Sequence, residues 1–266
     1  MDELQPAHRD PQSTRPDDPG EPGLADGTPG PTLTEQLVYF LGQRKISAAL
    51  VLLAAVVLLL PFLGRFGLWD PQEIRNLESA REVAESPRLA VPERLARPPL
   101  PLIVVALGVR LFGQGELAAR LPGLLCGLLC LGAAYLLGPT LLPGARGRRV
   151  GALSALALLA TPLVFLGSRQ VTLHLPGLFG HLLTVLGLAA LLRPAPLASA
   201  ARIGGGVAAT AGLLIGLFSL GAPLGLSAPL LAAGLALWLA APAQAGRAAL
   251  LFGVAGLTLI PPARLL

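Results

Sequence analysis

The sequence predicts an all-α bundle of membrane-spanning helices. Three observations predict it. Hydrophobic residues make up 53% of the 266-residue chain and charged residues only 13%. The mean hydropathy is +0.68. The apolar residues gather into runs approaching the roughly 20 that a helix needs to cross hydrocarbon. Soluble domains carry about 25% charged residues and few such runs, so a soluble enzyme is excluded. The net charge of +5 comes from basic residues scattered between apolar runs. Without a dense cluster or interleaved aromatics, they do not form a nucleic-acid surface.

Residues 1–34 are acidic and rich in Pro, Gly and Asp. Such a composition cannot bury enough surface to offset its ordering entropy, which predicts a disordered cytoplasmic tail. The tail lacks the basic start and apolar core of a signal peptide, so the first membrane helix reads as an uncleaved anchor. The membrane domain is expected over 35–266. Apolar runs at 46–63, 117–142, 150–166, 171–192, 207–220, 223–241 and 248–260 predict about seven crossings. A shorter run, 98–112, opens on Pro98, Pro99 and Pro101 and carries Arg110. It predicts an interfacial or re-entrant helix with Arg110 reaching water; the alternative, that it spans, would move the Arg146 loop to the outer face.

Basic residues set the orientation, because Lys and Arg concentrate in cytoplasmic loops. Arg44 and Lys45 place the N-terminus on the inner, cytoplasmic side of the cytoplasmic membrane, and Arg146, Arg148 and Arg149 join them after two crossings. Arg193, Arg202 and Arg247 then fall inside as well, while the loop 64–116 and the Arg169–His174 turn fall outside. The pairs Gly123/Gly127, Gly212/Gly216 and Gly221/Gly225 let helix backbones approach closely. Cys126 and Cys130 lie inside one apolar run and read as small packing residues.

The outer loop is where polar groups crowd together. Asp70 reads as an N-cap, Pro71 as the first helical residue and Glu73 as the closing member of a capping box. Ile74, Leu77, Ala80 and Ala84 then share one helical face, with Glu78, Arg81, Glu82 and Glu85 on the other. The spacing predicts an amphipathic helix over 71–85, lying on the bilayer and stopped by Ser86-Pro87. Trp69 fits an interfacial anchor or a ring lining a groove. Arg75, Arg97 and Arg169 gather at the same outer surface, where the planar guanidinium fork suits a lipid phosphate.

The segment from Leu68 resembles the opening of a GT-C membrane glycosyltransferase of the protein O-mannosyltransferase and aminoarabinose transferase type, glycosyltransferase family 39. That family carries patterns close to L-W-x-P-D-E-x-R-x-x-E-x-A-R-E, then K-P-P-L, then L-F-G-x-x-E-x-A-A-R-L-P. Here they read as residues 68–82, Arg97-Pro98-Pro99-Leu100, and residues 111–122. A weaker similarity runs through residues 168–176, against the family's R-x-x-x-x-D-x-P turn.

The resemblance implies a GT-C fold and transfer of a sugar from a polyprenyl-phosphate donor to a lipid or protein acceptor. The chemistry needs a carboxylate to deprotonate the acceptor hydroxyl, and cationic groups or a divalent metal to stabilise the departing phosphate. By position, Arg97 takes the phosphate-binding role of the family's lysine. Glu73 and Asp70 are the candidate acids, and Arg75, Trp69, Arg169 and His174 the candidate substrate contacts. The departures are specific. Gln72 stands where the family has its leading acid, Ala96 where an acid precedes its Lys-Pro-Pro, and His174 where the later turn has aspartate. A neutral amide is no general base, whereas a histidine can be a base, a metal ligand or simply a hydrogen-bonded polar residue.

Family members usually continue with further membrane helices, so the chain reads as an incomplete copy or a reduced relative. Two functions stay open: a glycosyltransferase, and a non-catalytic lipid-phosphate-binding or assembly protein of the same fold. A transporter is disfavoured, because His181 is the sole titratable side chain well inside an apolar run beyond residue 150.

Overall fold

The computed structural model describes residues 39, 42–65, 67, 70–92, 98–192, 199–240 and 245–258. The expected tail, Trp69, Ala96, Arg97 and Arg193 lie outside the described residues. Among the described residues all regular structure is helical. The elements are α1 (Arg44–Leu59), α2 (Pro71–Glu85), α3 (Pro99–Phe112), α4 (Glu116–Leu141), α5 (Gly144–Ala160), α6 (Pro162–Gly167), α7 (Leu175–Leu191), α8 (Ser199–Ala240) and α9 (Ala245–Thr258).

Each expected run is recovered as helix, but fewer are long. Among the described residues two helices are long and apolar enough to cross a membrane, Glu116–Leu141 and Arg202–Ala236. The 16 residues of α1 and the 17 of α7 rise only about 24–26 Å at 1.5 Å per residue, short of a hydrocarbon core of roughly 30 Å. The chain reverses within α8 at Gly221, whose φ of 78° and ψ of 173° lie outside the helical region. Beyond this bend the backbones of Gly216 and Gly225 meet so closely that a Cβ on either would overlap the other. The expected runs 207–220 and 223–241 are therefore two limbs of one helical hairpin, and the paired glycines permit their contact.

The first two basic clusters, 44–45 and 146–149, lie together at one end of the bundle. Arg148 Nε donates to the Gly42 carbonyl at 2.6 Å, which ties the start of α5 to the entry of α1. At the other end of α1, Arg169 donates to the carbonyls of Leu58 and Pro61, at 2.9 and 2.8 Å. One helix length thus separates the basic end from the end that gathers α2 and the turn after α6.

Helix α2 has the expected bounds but a different role for its faces. Asp70 caps it by accepting the Gln72 N–H at 2.8 Å. Glu73 does not close a capping box, because its carboxylate turns inward to Arg120 and the Val171 N–H. The buried face is Glu73, Asn76, Leu77, Ala80 and Val83, while Ile74 is 38% exposed. This face packs on protein rather than on lipid: Leu77, Ala80 and Val83 join Val105, Ala106, Val109, Ala119 and Val171 in one core cluster. Removing such side chains from water is worth about 25 cal/mol per Å² of apolar area, enough to hold the amphipathic helix on α3.

Candidate functional site

Glu73 stands in the first turn of α2 and is 4% exposed. Its Oε1 accepts from Arg120 Nε at 2.9 Å and from the Val171 N–H at 2.9 Å, and its Oε2 accepts from Arg120 Nη2 at 3.2 Å. Arg120, equally buried in the second turn of α4, also donates to the Leu63 carbonyl at 2.9 Å and the Gly67 carbonyl at 3.3 Å. The Glu116 carboxylate, one turn earlier, lies 3.7 Å from Nη1. A buried charge is tolerated when it is paired and its remaining hydrogen-bond capacity is filled, and this pair meets both conditions.

One turn after Glu73, the buried Asn76 donates Nδ2–H to the Val171 carbonyl at 2.9 Å. Residues three apart on a helix share a face. Consequently Glu73 and Asn76 hold both backbone groups of Val171 and fix the turn after α6 against α2. On its other side that turn meets the glycine face of α4, where Gly167 and Gln170 carbonyls approach Gly123 and the Ser168 side chain abuts Gly127.

Two cavities flank this junction. The first, of about 400 Å³, is lined by Phe62, Leu63, Gly67, Asp70, Glu73, Arg120, Leu166, Arg169 and Gln170. Asp70 is its exposed carboxylate. Arg169 lies 5.4 Å from the Phe165 ring centroid, within cation–π range. Its two carbonyl contacts use two of the five N–H donors of a guanidinium. Those contacts brace the turn at Phe62, whose φ of 61° is a left-handed conformation uncommon for a bulky residue.

The second cavity, of about 340 Å³, is lined by Gln72, Asn76, Pro98, Pro101, Leu173, His174, Ser219 and Leu220. Both volumes lie in the range of roughly 300–1,000 Å³ usual for small-ligand pockets. His174 precedes α7 in the N-cap position, but its side chain makes no capping bond. Two of the positions where the family resemblance implies an acid, Gln72 and His174, thus converge here from separate segments.

Of the sequence candidates, Asp70, Glu73 and Arg169 share the first cavity and His174 lines the second. Arg75 is exposed and lines neither, while Trp69 and Arg97 lie outside the described residues. Sequence reasoning missed Arg120 and Asn76. Arg120 carried a usable signal as the only charged residue in the run 117–142, since an ionisable group inside a membrane segment needs a partner. Asn76 carried little, because its partner is a backbone carbonyl 95 residues away. Among the described residues no three His, Cys, Asp or Glu side chains gather to hold a metal ion. Of the two carboxylates on the first cavity, Glu73 is neutralised by Arg120. This donor set does not fit a divalent cation.

The family model for dolichyl-phosphate-mannose-protein mannosyltransferases matches residues 96–255, more than half of the chain. The chain belongs to this GT-C family. Membership in the dolichyl-phosphate-mannose-protein mannosyltransferase family establishes the general class, a membrane glycosyltransferase of mannosyltransferase-like type. The match takes in Arg120, Arg169 and His174 and leaves α1 and α2, with Asp70 and Glu73, before it. A search of curated proteins and a search of solved structures each gave no match.

Proposed function

We propose that this protein transfers a sugar from a polyprenyl-phosphate donor to a hydroxyl acceptor at the outer face of the cytoplasmic membrane. The observation that carries the reading is the shared cavity of Asp70 and Arg169, whose lining holds both an exposed carboxylate and a guanidinium that keeps donors to spare. The acceptor oxygen attacks the anomeric carbon while the bond from that carbon to the phosphate oxygen breaks. The acceptor proton passes to Asp70, and the departing phosphate takes its charge to Arg169 and Arg97. Glu73 acts as a positioning residue through Arg120 and Val171, because both of its oxygens are engaged. The basic end faces the cytoplasm, and the runs, short for spanning one by one, cross about seven times by local thinning of the bilayer.

A second reading, lipid-phosphate binding without transfer, is favoured by one observation: the second cavity presents an amide at position 72 and an imidazole at position 174. Transfer of radiolabelled sugar from polyprenyl-phosphate donors, measured in membranes with wild type, Asp70→Asn, Glu73→Gln and Arg97→Ala, separates the two. Turnover lost in Asp70→Asn, with polyprenyl-phosphate binding kept, supports the enzyme. Wild-type binding without any turnover establishes the second reading instead.

A further inference from the structure

A groove between α1 and α4 runs toward the basic end of the bundle. It encloses about 170 Å³, and its wall includes Ala48, Leu52, Ala55, Leu128, Gly132 and Tyr135. That is below the roughly 300–1,000 Å³ of a small-molecule pocket and suits a single slender chain. Lys45, which is exposed, precedes Ala48, Leu52 and Ala55 by three, seven and ten residues. It therefore stands on the same stripe of α1 and ends that stripe with a cation. Beside it the Tyr135 hydroxyl meets Ser47 Oγ at 2.8 Å and pins α4 to α1. Arg148 and Arg149 reach the backbone at Gly42, three residues before Lys45, and the exposed Arg146 lies one turn before Arg149. The buried Nε of Arg149 has no hydrogen-bond partner among the described residues. No Asp or Glu occurs in residues 36–69 or 117–266. Thus neither α1 nor α5 supplies a carboxylate to these cations, and Glu116 stands at the opposite end of α4.

Two chemistries meet on this face. The cations suit a phosphate, whose oxygens accept from guanidinium and ammonium groups. The groove, continued outside by the exposed Leu53 and Leu129, suits a hydrocarbon chain. A soluble anion would use only the first and a free hydrocarbon only the second, whereas a phospholipid uses both. We infer that this face binds an anionic phospholipid, with its headgroup phosphate against Lys45, Arg146 and Arg149 and one acyl chain along the groove between α1 and α4. Basic clusters at the ends of membrane helices recognise anionic head groups in this way. The site is distinct from the two cavities, since Arg169 binds the carbonyls at the other end of α1. The orientation proposed above assigns the lipid to the cytoplasmic leaflet; the binding itself depends neither on that orientation nor on sugar transfer.

The test uses the full chain in detergent, where no membrane sides exist, with retained lipid counted by native mass spectrometry. The probes are dioleoyl phosphatidylglycerol, dioleoyl phosphatidylcholine and glycerol phosphate. Wild type is expected to hold phosphatidylglycerol more tightly than phosphatidylcholine and glycerol phosphate least. Lys45→Gln is expected to weaken phosphatidylglycerol by about fivefold, the loss of one cation near a head group, and to leave phosphatidylcholine unchanged. Lys45→Arg, which keeps the charge, is expected to retain binding. A side chain at Gly132 meets open space, so Gly132→Leu fills the groove without a clash and is expected to weaken both lipids. Lys45 is exposed, and its variants remain informative if Gly132→Leu fails to fold. Equal retention of the two lipids by wild type, or phosphatidylglycerol binding that ignores both Lys45→Gln and Gly132→Leu, overturns the inference. Glycerol phosphate bound as tightly as phosphatidylglycerol would assign the cations to a free phosphate and overturn it too. So would wild type that retains no phosphatidylglycerol while carbodiimide cross-links Lys45 to an acid of residues 1–35, since that acidic segment would then hold the basic end.

Discussion

Arg120 and Glu73, 47 residues apart, form a fully buried two-point ion pair, with Nε on Oε1 at 2.9 Å and Nη2 on Oε2 at 3.2 Å. It joins α2 to α4, and through the Val171 N–H it also holds the turn that carries Arg169. The pair is the mechanical centre of the site, since both cavities are walled by residues it fixes.

Removing one partner should therefore unfold the site. Arg120→Gln leaves a buried carboxylate short of its counter-charge, and breaking a buried pair in this way costs about 3–5 kcal/mol. The expected outcome is a large drop in thermal stability of the purified protein, measured by tryptophan fluorescence or calorimetry. Arg120→Lys should fail almost as badly, because an ammonium cannot span both carboxylate oxygens and the Leu63 and Gly67 carbonyls.

Asp70→Asn should separate folding from chemistry. Asparagine caps a helix about as well as aspartate, so stability should change by less than about 0.5 kcal/mol. An amide cannot take the acceptor proton, and loss of a general base lowers rates by about 10²–10⁴-fold. Transfer assays beside melting curves read both effects. An unchanged rate would remove Asp70 from the reaction.

Crowding the hairpin of α8 should be as damaging as a core substitution. A side chain at Gly225 meets the backbone of Gly216 and Leu217, which has no flexible end to move aside. Gly225→Leu is expected to destabilise by about 1–3 kcal/mol or more. Gly246→Leu, a site with open space around its Cβ position, is the matched control. Equal melting temperatures for the two variants would contradict the hairpin.

Orientation has a direct chemical readout. With a membrane-impermeant maleimide on Cys126→Ser/Cys130→Ser cells, Glu78→Cys should label from outside and Arg146→Cys only after the membrane is opened. Labelling of both from the same side would contradict the separation of the basic end from the site by α1.

The bounds of α2 were legible because Asp70, Pro71 and Ser86-Pro87 are local signals read within a few residues of where they act. Which way Glu73 turns was not legible. A capping box and a buried ion pair use the same carboxylate, and the choice depends on Arg120 arriving from a different helix. Ile74 misled for the same reason: by hydropathy it belongs to the buried face, yet once Glu73 and Asn76 point inward the helix is rotated and Ile74 is left exposed. The convergence of Gln72 with His174 was likewise invisible, because it depends on the turn before α7 docking on α2 through Val171.

The sequence alone determined the helical class, the order of the elements, the breaks at proline and glycine, and the family resemblance, because hydropathy and chain stiffness act over single turns. The tertiary structure decided which charges are spent on one another and which still face a cavity. A buried charge must find its partner in space, and for Glu73 that partner is set by the packing of α2 and α4 on α3, not by its neighbours in the chain.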